Sequence, residues 1–413
     1  MDINNQPTYG ELRISVISSA ALIPIAGATV TIAYTENPTD PVYVDTTDSS
    51  GETEVIRLTA PNFELSQAPS EIQPYTDYNI TVEAEGYEPV LVSGTELLPD
   101  RRALQLIRMN PLAATEAEEI VVIPVHTLFG EYPPKIPEDE IKPMAESGEI
   151  VLSRVVIPEY VIVHDGVPSD STAPNYWVRY KDYIKNVASC EIYATWPEAS
   201  LYANILAIMS FTLNRVYTEW YRNQGYDFTI TSSTAYDQKW IYGRNIYENI
   251  DVLVDNVFAN FLSRPGVRQP ILAAYCDGER VTCRGLSQWG SRDLGEQGYS
   301  AIEILRYFYG SDIYINTAET ISGVPSSYPG YNLTIGSSGD KVRQLQNQIN
   351  RIARNYPAIP TITADGIYGP ATADAIRTFQ GIFNLPQTGV TDYATWYEVS
   401  DIYVGVSRIA EPS

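Results

Sequence analysis

The stretch Ser189–Tyr217, SCEIYATWPEASLYANILAIMSFTLNRVY, decides how the middle of this chain folds. Apolar residues recur at helical spacing through Leu201, Ile205, Ile208, Met209, Leu213, Val216 and, just beyond, Trp220. Pro197 suits a first helical position, where no N–H is needed, and Glu198 suits the positive end of the helix dipole. The pattern predicts a buried helix of about six turns. Cys190 and Glu191 stand just ahead of it, a thiol beside a carboxylate.

Around this helix the sequence outlines an α+β domain over residues 155–317. NIDVLVDNVFANFLS reads as a further helix, PILAAYCDG and RVTC as short strands, and SAIEILRYFYG as a closing helix stopped by Gly310. Residues 1–111 carry short runs of period two (ELRISVIS, ATVTIAY, PVYVDTT, TEVIRLTA, YNITVEAEGY, PVLVSG), which predict a small all-β sandwich. Residues 112–154 mix prolines with clustered acids, as an extended connector does, and the lone His126 there is expected to be structural. A Ser/Pro/Gly-rich linker at 318–332 leads to a module over 333–405. Its segments GDKVRQLQNQINRI, TADGIYGPATADAIRTFQGIFNL and TGVTDYATWYEV predict three short helices, with Asp365, Gly366 and Gly369 in a tight loop and Thr372 as a cap or buttress.

A chain of 413 residues, 44% hydrophobic, is too long for one core and implies about two to four domains. Its net charge of −24 repels nucleic-acid phosphates and anionic lipid, so neither nucleic acid nor membrane is expected as a partner. The start MDINNQPTYGELR lacks the features of a signal peptide, and no run of apolar residues is long enough for a membrane span. The 31 tyrosines suit either strands or sugar-binding faces.

Three regions resemble known families. PIAGATVTI, DSSGETEV and YNITVEAEGYEPV resemble the carboxypeptidase-regulatory-like or Cna-B-like sandwich, a module without chemistry of its own. The glycine, tyrosine, threonine and apolar frame of 333–405 resembles the peptidoglycan-binding type 1 family, which implies wall contacts through Asp365, Tyr368, Gly369 and Thr372. YIKNVASCEIYATWPEASLYANILAIMSFTLNR with CRGLSQWGSRDLGEQGYSAIEILRYFYG resembles the SpoIID/LytB family of lytic transglycosylases. That resemblance makes Glu191 the catalytic acid and places Tyr193, Ser287, Gln288 and Trp289 against the glycan. One departure is plain: the run RVTCRGLSQWG lacks the histidine that the family often carries there.

The implied chemistry needs little. Cleaving a β-1,4 glycosidic bond requires a proton for the leaving oxygen and stabilisation of an oxocarbenium-like centre. A single acid/base suffices when the sugar's own 6-hydroxyl is the nucleophile, held close enough to outcompete water. No cofactor or metal is called for. Each residue also has a plainer reading. Glu191 could be a helix-entry charge, Glu198 a dipole partner, Ser287 and Gln288 caps of the following helix, and Trp289 a core residue. Cys190 has no histidine nearby to activate it and reads as packing. Cys276 and Cys283 could form a disulfide, hold a metal with Cys190, or stay free.

The order of the parts resembles the clostridial spore cortex-lytic enzymes over nearly the whole chain. That resemblance implies a zymogen acting on cortex peptidoglycan, cut near Ser153, Arg154 and Val155 by a subtilisin-like germination protease. It also implies synthesis in the mother cell and storage in the cortex and coat region of the spore. Two other functions fit the same polymer: an N-acetylmuramoyl-L-alanine amidase, for which the core offers only His164 as a histidine ligand to zinc, and a non-catalytic wall adaptor.

Overall fold

The computed structural model describes residues 8–19, 22–112, 119–128, 133–142, 154–324 and 328–407. The expected cut residue Ser153 lies outside them; Arg154 is exposed and Val155 buried. The chain is multidomain: a β-rich head, a mixed α/β core and a helical tail.

The head contains β1 (Thr8–Ser18), β2 (Thr29–Tyr34), β3 (Asn37–Thr46), β4 (Ile56–Ala60), β5 (Thr76–Glu83), β6 (Val90–Leu97), β7 (Arg102–Met109) and β8 (Glu119–Val122). Side chains alternate across each strand, so Leu12, Ile14 and Val16 of β1 face Val30, Ile32, Ile80 and Val82 in one interior. Two sheets result, ordered β3-β2-β5-β6-β8 and β7-β1-β4, the second extended beside β7 by a strand of the core, Ile246–Tyr247.

The core adds β9 (Val156–Ile157), β10 (Tyr160–His164), β11 (Asn175–Arg179), α1 (Tyr180–Glu191), α2 (Glu198–Tyr217), β12 (Ile230–Thr231), β13 (Ile246–Tyr247), α3 (Glu248–Val257), β14 (Asn260–Ser263), β15 (Tyr275–Cys276), β16 (Leu286–Ser287), α4 (Gln288–Glu296), α5 (Ala301–Tyr309), β17 (Tyr314–Thr317) and β18 (Thr320–Ile321). The 20-residue α2 is the helix expected from its apolar repeat, and α1, α3, α4, α5 and β14 pack around it. Pro197 is its N-cap and not its first turn. Two expectations change. NIDVLVDNVFANFLS divides into α3 and the strand β14, and Val281–Cys283 is loop, with β15 instead pairing in parallel with β16.

The tail has the three expected helices, α6 (Asp340–Ile352), α7 (Pro370–Ile382) and α8 (Tyr393–Ser407). Val342, Leu345, Ile349, Phe379 and Trp396 close its interior. Among the described residues no helix is long and apolar enough to cross a membrane.

The connector differs most from its expected form. Its residues 119–122 extend the head as β8, parallel to β6. Residues 133–142 form a strap across the core: Ile136 N donates to Ala235 O (2.8 Å), Leu272 N to Glu140 O (2.8 Å) and Lys142 N to Gln269 Oε1 (2.7 Å). Prolines deny this segment a helix, but its backbone groups find partners in neighbouring elements. The core returns the exchange, since β13 pairs antiparallel with β7 of the head.

Candidate active site

Glu191 is the last residue of α1, and Ile192 leaves the helix in an extended conformation (φ −141°, ψ 151°). The acid thus closes one helix and is separated from α2 by the link 192–197, a closer definition than a residue that opens the long helix. Three groups hold its carboxylate. Lys239 N donates to Oε1 at 2.8 Å, the Tyr275 hydroxyl donates to Oε1 at 3.4 Å, and Gln288 Nε2 donates to Oε2 at 3.1 Å. The same Gln288 amide donates to the Glu191 carbonyl at 2.9 Å. Burial and the neighbouring Glu191 charge push the Tyr275 hydroxyl well above its usual range, so it remains a donor.

The Ser-Gln element of the sequence therefore divides its work. Ser287 caps α4, its Oγ accepting from Gly290 N at 2.9 Å, and that orients Gln288 toward the acid. Trp289 does not reach a groove. It is 2% exposed, and its ring meets those of Trp196 and Tyr193 at 4.9 and 6.0 Å. Tyr193 is likewise interior, its hydroxyl accepting from Leu128 N at 3.0 Å. The rings expected to bind sugar instead brace the 192–197 link, because three large aromatic faces bury more favourably against each other than against water.

Cys276 and Cys283 form a disulfide, which settles the three options left open for them. Its loop carries Asp277 and Val281 to the edge of the Glu191 cavity. Cys190 is buried, its thiol pushed up by burial, with Arg244 Nη1 at 3.4 Å; it is packing and no nucleophile. Among the described residues no three His, Cys, Asp or Glu side chains gather as a metal site. Glu198 is exposed at the start of α2, in the dipole position.

The cavity beside Glu191 measures about 40 Å³. That admits a few waters, at about 10–15 Å³ each, and is far below the roughly 300 Å³ of an ordinary ligand pocket. Its cover comes from the strap and the residues before it: Leu128, Pro133 and Lys135. Lys135 donates to the Asp237 carbonyl, and its ammonium lies 4.8 Å from the centre of the Tyr275 ring and 5.4 Å from that of Phe211. Burial pulls its pKa down, against the opposing pull of the Glu191 and Asp237 carboxylates. Nearby, Arg215 locks the strap with Glu138 (2.6 Å) on one side and Asp237 (2.7 Å) on the other. Lys135, Lys239 and Tyr275 were missed in the sequence. A lysine inside PPKIPEDE has no periodicity to mark it, and only the packed strap shows where it goes.

In the tail, Gln346 of α6 organises the loop before α7. Its Nε2 donates to Asp365 Oδ1 and Thr372 Oγ1, both at 3.1 Å, and its Oε1 accepts from Gly366 N at 2.8 Å. Gly366 holds φ +81°, a conformation that favours glycine. Tyr368 is fully buried, with its hydroxyl on Gly389 O at 3.0 Å, and Gly369 is the N-cap of α7. Tyr368 and Thr372, expected to touch the wall, are scaffold: both are buried, and their hydroxyls are spent inside the module. Asp365 is exposed and Gly369 half-buried.

Residues 338–398 match the peptidoglycan binding domain family PG_binding_1. The match covers the loop and all of α6 and α7. A zinc D-Ala-D-Ala carboxypeptidase from Streptomyces albus G is 37% identical over 68 residues, 16% of this chain and 25% of that protein. The chain thus spans a quarter of the length of the curated relative that it matches. Among solved structures, the minor pilin GBS52 of Streptococcus agalactiae is 14% identical over 27% of this chain and 48% of its own, with a TM-score of 0.19. The Bacillus anthracis TIE protein is 17% identical over 25% of this chain and 18% of its own, with a TM-score of 0.18. Scores this low carry no argument about the fold.

Proposed function

We propose that this protein is the precursor of a spore cortex-lytic enzyme, a lytic transglycosylase that cleaves peptidoglycan glycan strands during germination. The supporting observation is the Glu191 carboxylate, held by Lys239 N, Tyr275 and Gln288 at a small cavity that the strap residues Pro133 and Lys135 help to line. The peptidoglycan-binding domain in the tail supplies the polymer.

In the reaction, protonated Glu191 gives its proton to the glycosidic oxygen as the C1–O bond breaks. The resulting oxocarbenium centre is attacked by the 6-hydroxyl of the same muramic residue, and the Glu191 carboxylate takes that hydroxyl's proton. A 1,6-anhydro end remains, and the acid is restored without a second carboxylate. Gln288 and Tyr275 keep the carboxyl aimed through both proton transfers. No glycan fits a 40 Å³ cavity, so the strap must leave first. A cut by a subtilisin-like protease near exposed Arg154 severs the strap from the core and allows it to go. Synthesis in the mother cell and storage at the cortex fit this sequence of events.

The test is mass spectrometry of cortex peptidoglycan digested by uncut and cut protein. The cut form should yield 1,6-anhydro-muramic ends, and the uncut form should be at least about tenfold slower. Glu191→Gln should lose about 10²–10⁴-fold of the activity while still binding wall through the tail. New muramoyl carboxyls with released peptides would make it an amidase, and no products would leave a wall adaptor. Equal rates before and after cutting would sink the covering role of the strap.

A further inference from the structure

A second cavity, about 530 Å³ and so of ligand size, opens between the head's β7 and the core's β10–β11 hairpin. One wall is aromatic: Tyr160, Tyr176, Trp177, Trp240 and Tyr242. Tyr176 stacks on Tyr242 (centroids 4.8 Å, 25°) and meets Trp240 at 5.3 Å, while Trp177 stands 70% exposed against Tyr160 at 6.3 Å. An indole left this open loses the burial that usually places tryptophan, so its face is available to a ligand. Trp240 is 5% exposed, yet its indole N–H has no hydrogen-bond partner among the described residues.

We propose that this groove binds a neutral, N-acetylated β-linked glycan as a subsite separate from Glu191. Sugar rings have apolar C–H faces that stack on flat aromatic rings and a hydroxyl edge that needs polar partners. The groove offers both, since the charged Arg179 and Asp182 share its lining with the rings. Position supports the assignment. Asn186 Nδ2 donates to Ile241 O and its Oδ1 accepts from Ile241 N, which pins the segment 239–241 between the two sites. Lys239 of that segment holds Glu191, and Trp240 lines the groove. Val404 and Gly405 of α8 also line the groove, which core and tail therefore share. It would anchor a strand whose scissile bond lies elsewhere.

The inference rests on glycan as the polymer, and its test is independent of cleavage. Binding of chitotetraose to the full uncut chain should be measured by calorimetry, with cellotetraose as the sugar lacking acetamido groups. Chitotetraose should bind, and cellotetraose should bind several-fold more weakly. Trp177→Ala changes an exposed side chain and should fold normally; it should weaken chitotetraose at least about tenfold. Glu191→Gln should bind like the parent. Unchanged binding by Trp177→Ala, equal binding of the two sugars, or no binding by the parent would overturn the subsite. Sugar binding without any anhydro product from the cut form would leave the subsite standing and remove the transglycosylase reading, so the two failures are distinguishable.

Discussion

The strap and the tail each bring charge against the core, and the lysines involved are treated in opposite ways. At the tail, Lys181 and Lys185 of α1 meet Asp251 and Asp255 of α3, and Lys181 also meets Glu398 and Asp401 of α8, at 2.5–3.4 Å. Burial alone would lower Lys181, but Asp255, Glu398 and Asp401 outweigh it and raise it well above its usual range. The same lysines pull Asp255 down against its burial. Lys135 of the strap has carboxylates near it too, yet there burial wins and its pKa falls. Its hydrogen-bond acceptor is a backbone carbonyl, backed by two rings. At the tail the lysines themselves are matched by several carboxylates; at the strap the matched cation is Arg215, between Glu138 and Asp237, and Lys135 is not.

The largest effect is therefore expected at the tail joint. Lys181→Ala leaves Asp255, Glu398 and Asp401 short of a cation in a buried place, which should cost about 3–5 kcal/mol. Thermal unfolding should show it as a lower Tm, together with earlier proteolysis between core and tail. A shift no larger than that of a surface substitution would break the comparison.

A smaller effect is expected at the strap. Lys135→Met keeps the length and the contact with Phe211 and Tyr275 but removes the buried charge. Stability should change by no more than about 1 kcal/mol, in either direction. Lys135→Ala, by contrast, should loosen the strap, so that uncut protein releases it part of the time and its anhydro-end production rises several-fold. If the alanine variant stays as silent as the parent, Lys135 is not what keeps the acid covered, and Leu128 and Pro133 are left as the cover.

These two joints were not equally legible in the sequence. The α2 repeat, the period-two runs of the head and the three tail helices all carry their own periodicity, so their existence followed from local pattern. Glu191 and Gln288 were found through the likeness of two separated segments, and the structure brings them to 3.1 Å. What failed was facing. Tyr193, Trp289 and Tyr368 are aromatic residues in the right neighbourhood, but nothing local says whether a ring points inward, and all three do. The strap failed for a related reason. Its prolines and acids resemble a solvated linker, and only partners over a hundred residues away, such as Asp237 and Gln269, fix it.

A third joint, between head and tail, gives the smallest and most conditional effect. Arg13 of β1 pairs with Glu52 and reaches the tail, where Nη1 donates to Gly381 O (3.1 Å) and Asn384 Oδ1 (3.2 Å). Burial pushes the Glu52 pKa up to about 7, against the pull of Arg13 and with the help of Asp48. The folded state therefore holds a proton there that the unfolded state, near 4.5, gives up. Its contribution to stability is complete below pH 4.5 and is lost as the pH rises through about 7. At about 1.4 kcal/mol per pH unit the loss is at most a few kcal/mol, and solvent at the rim of the joint reduces it. Glu52→Gln is neutral throughout, so the fall in Tm between pH 5 and 8 should be smaller in that variant than in the parent. Parallel Tm curves would mean that Glu52 is already ionised beside Arg13, and the head–tail joint would then belong with the matched lysines of α1, not with Lys135.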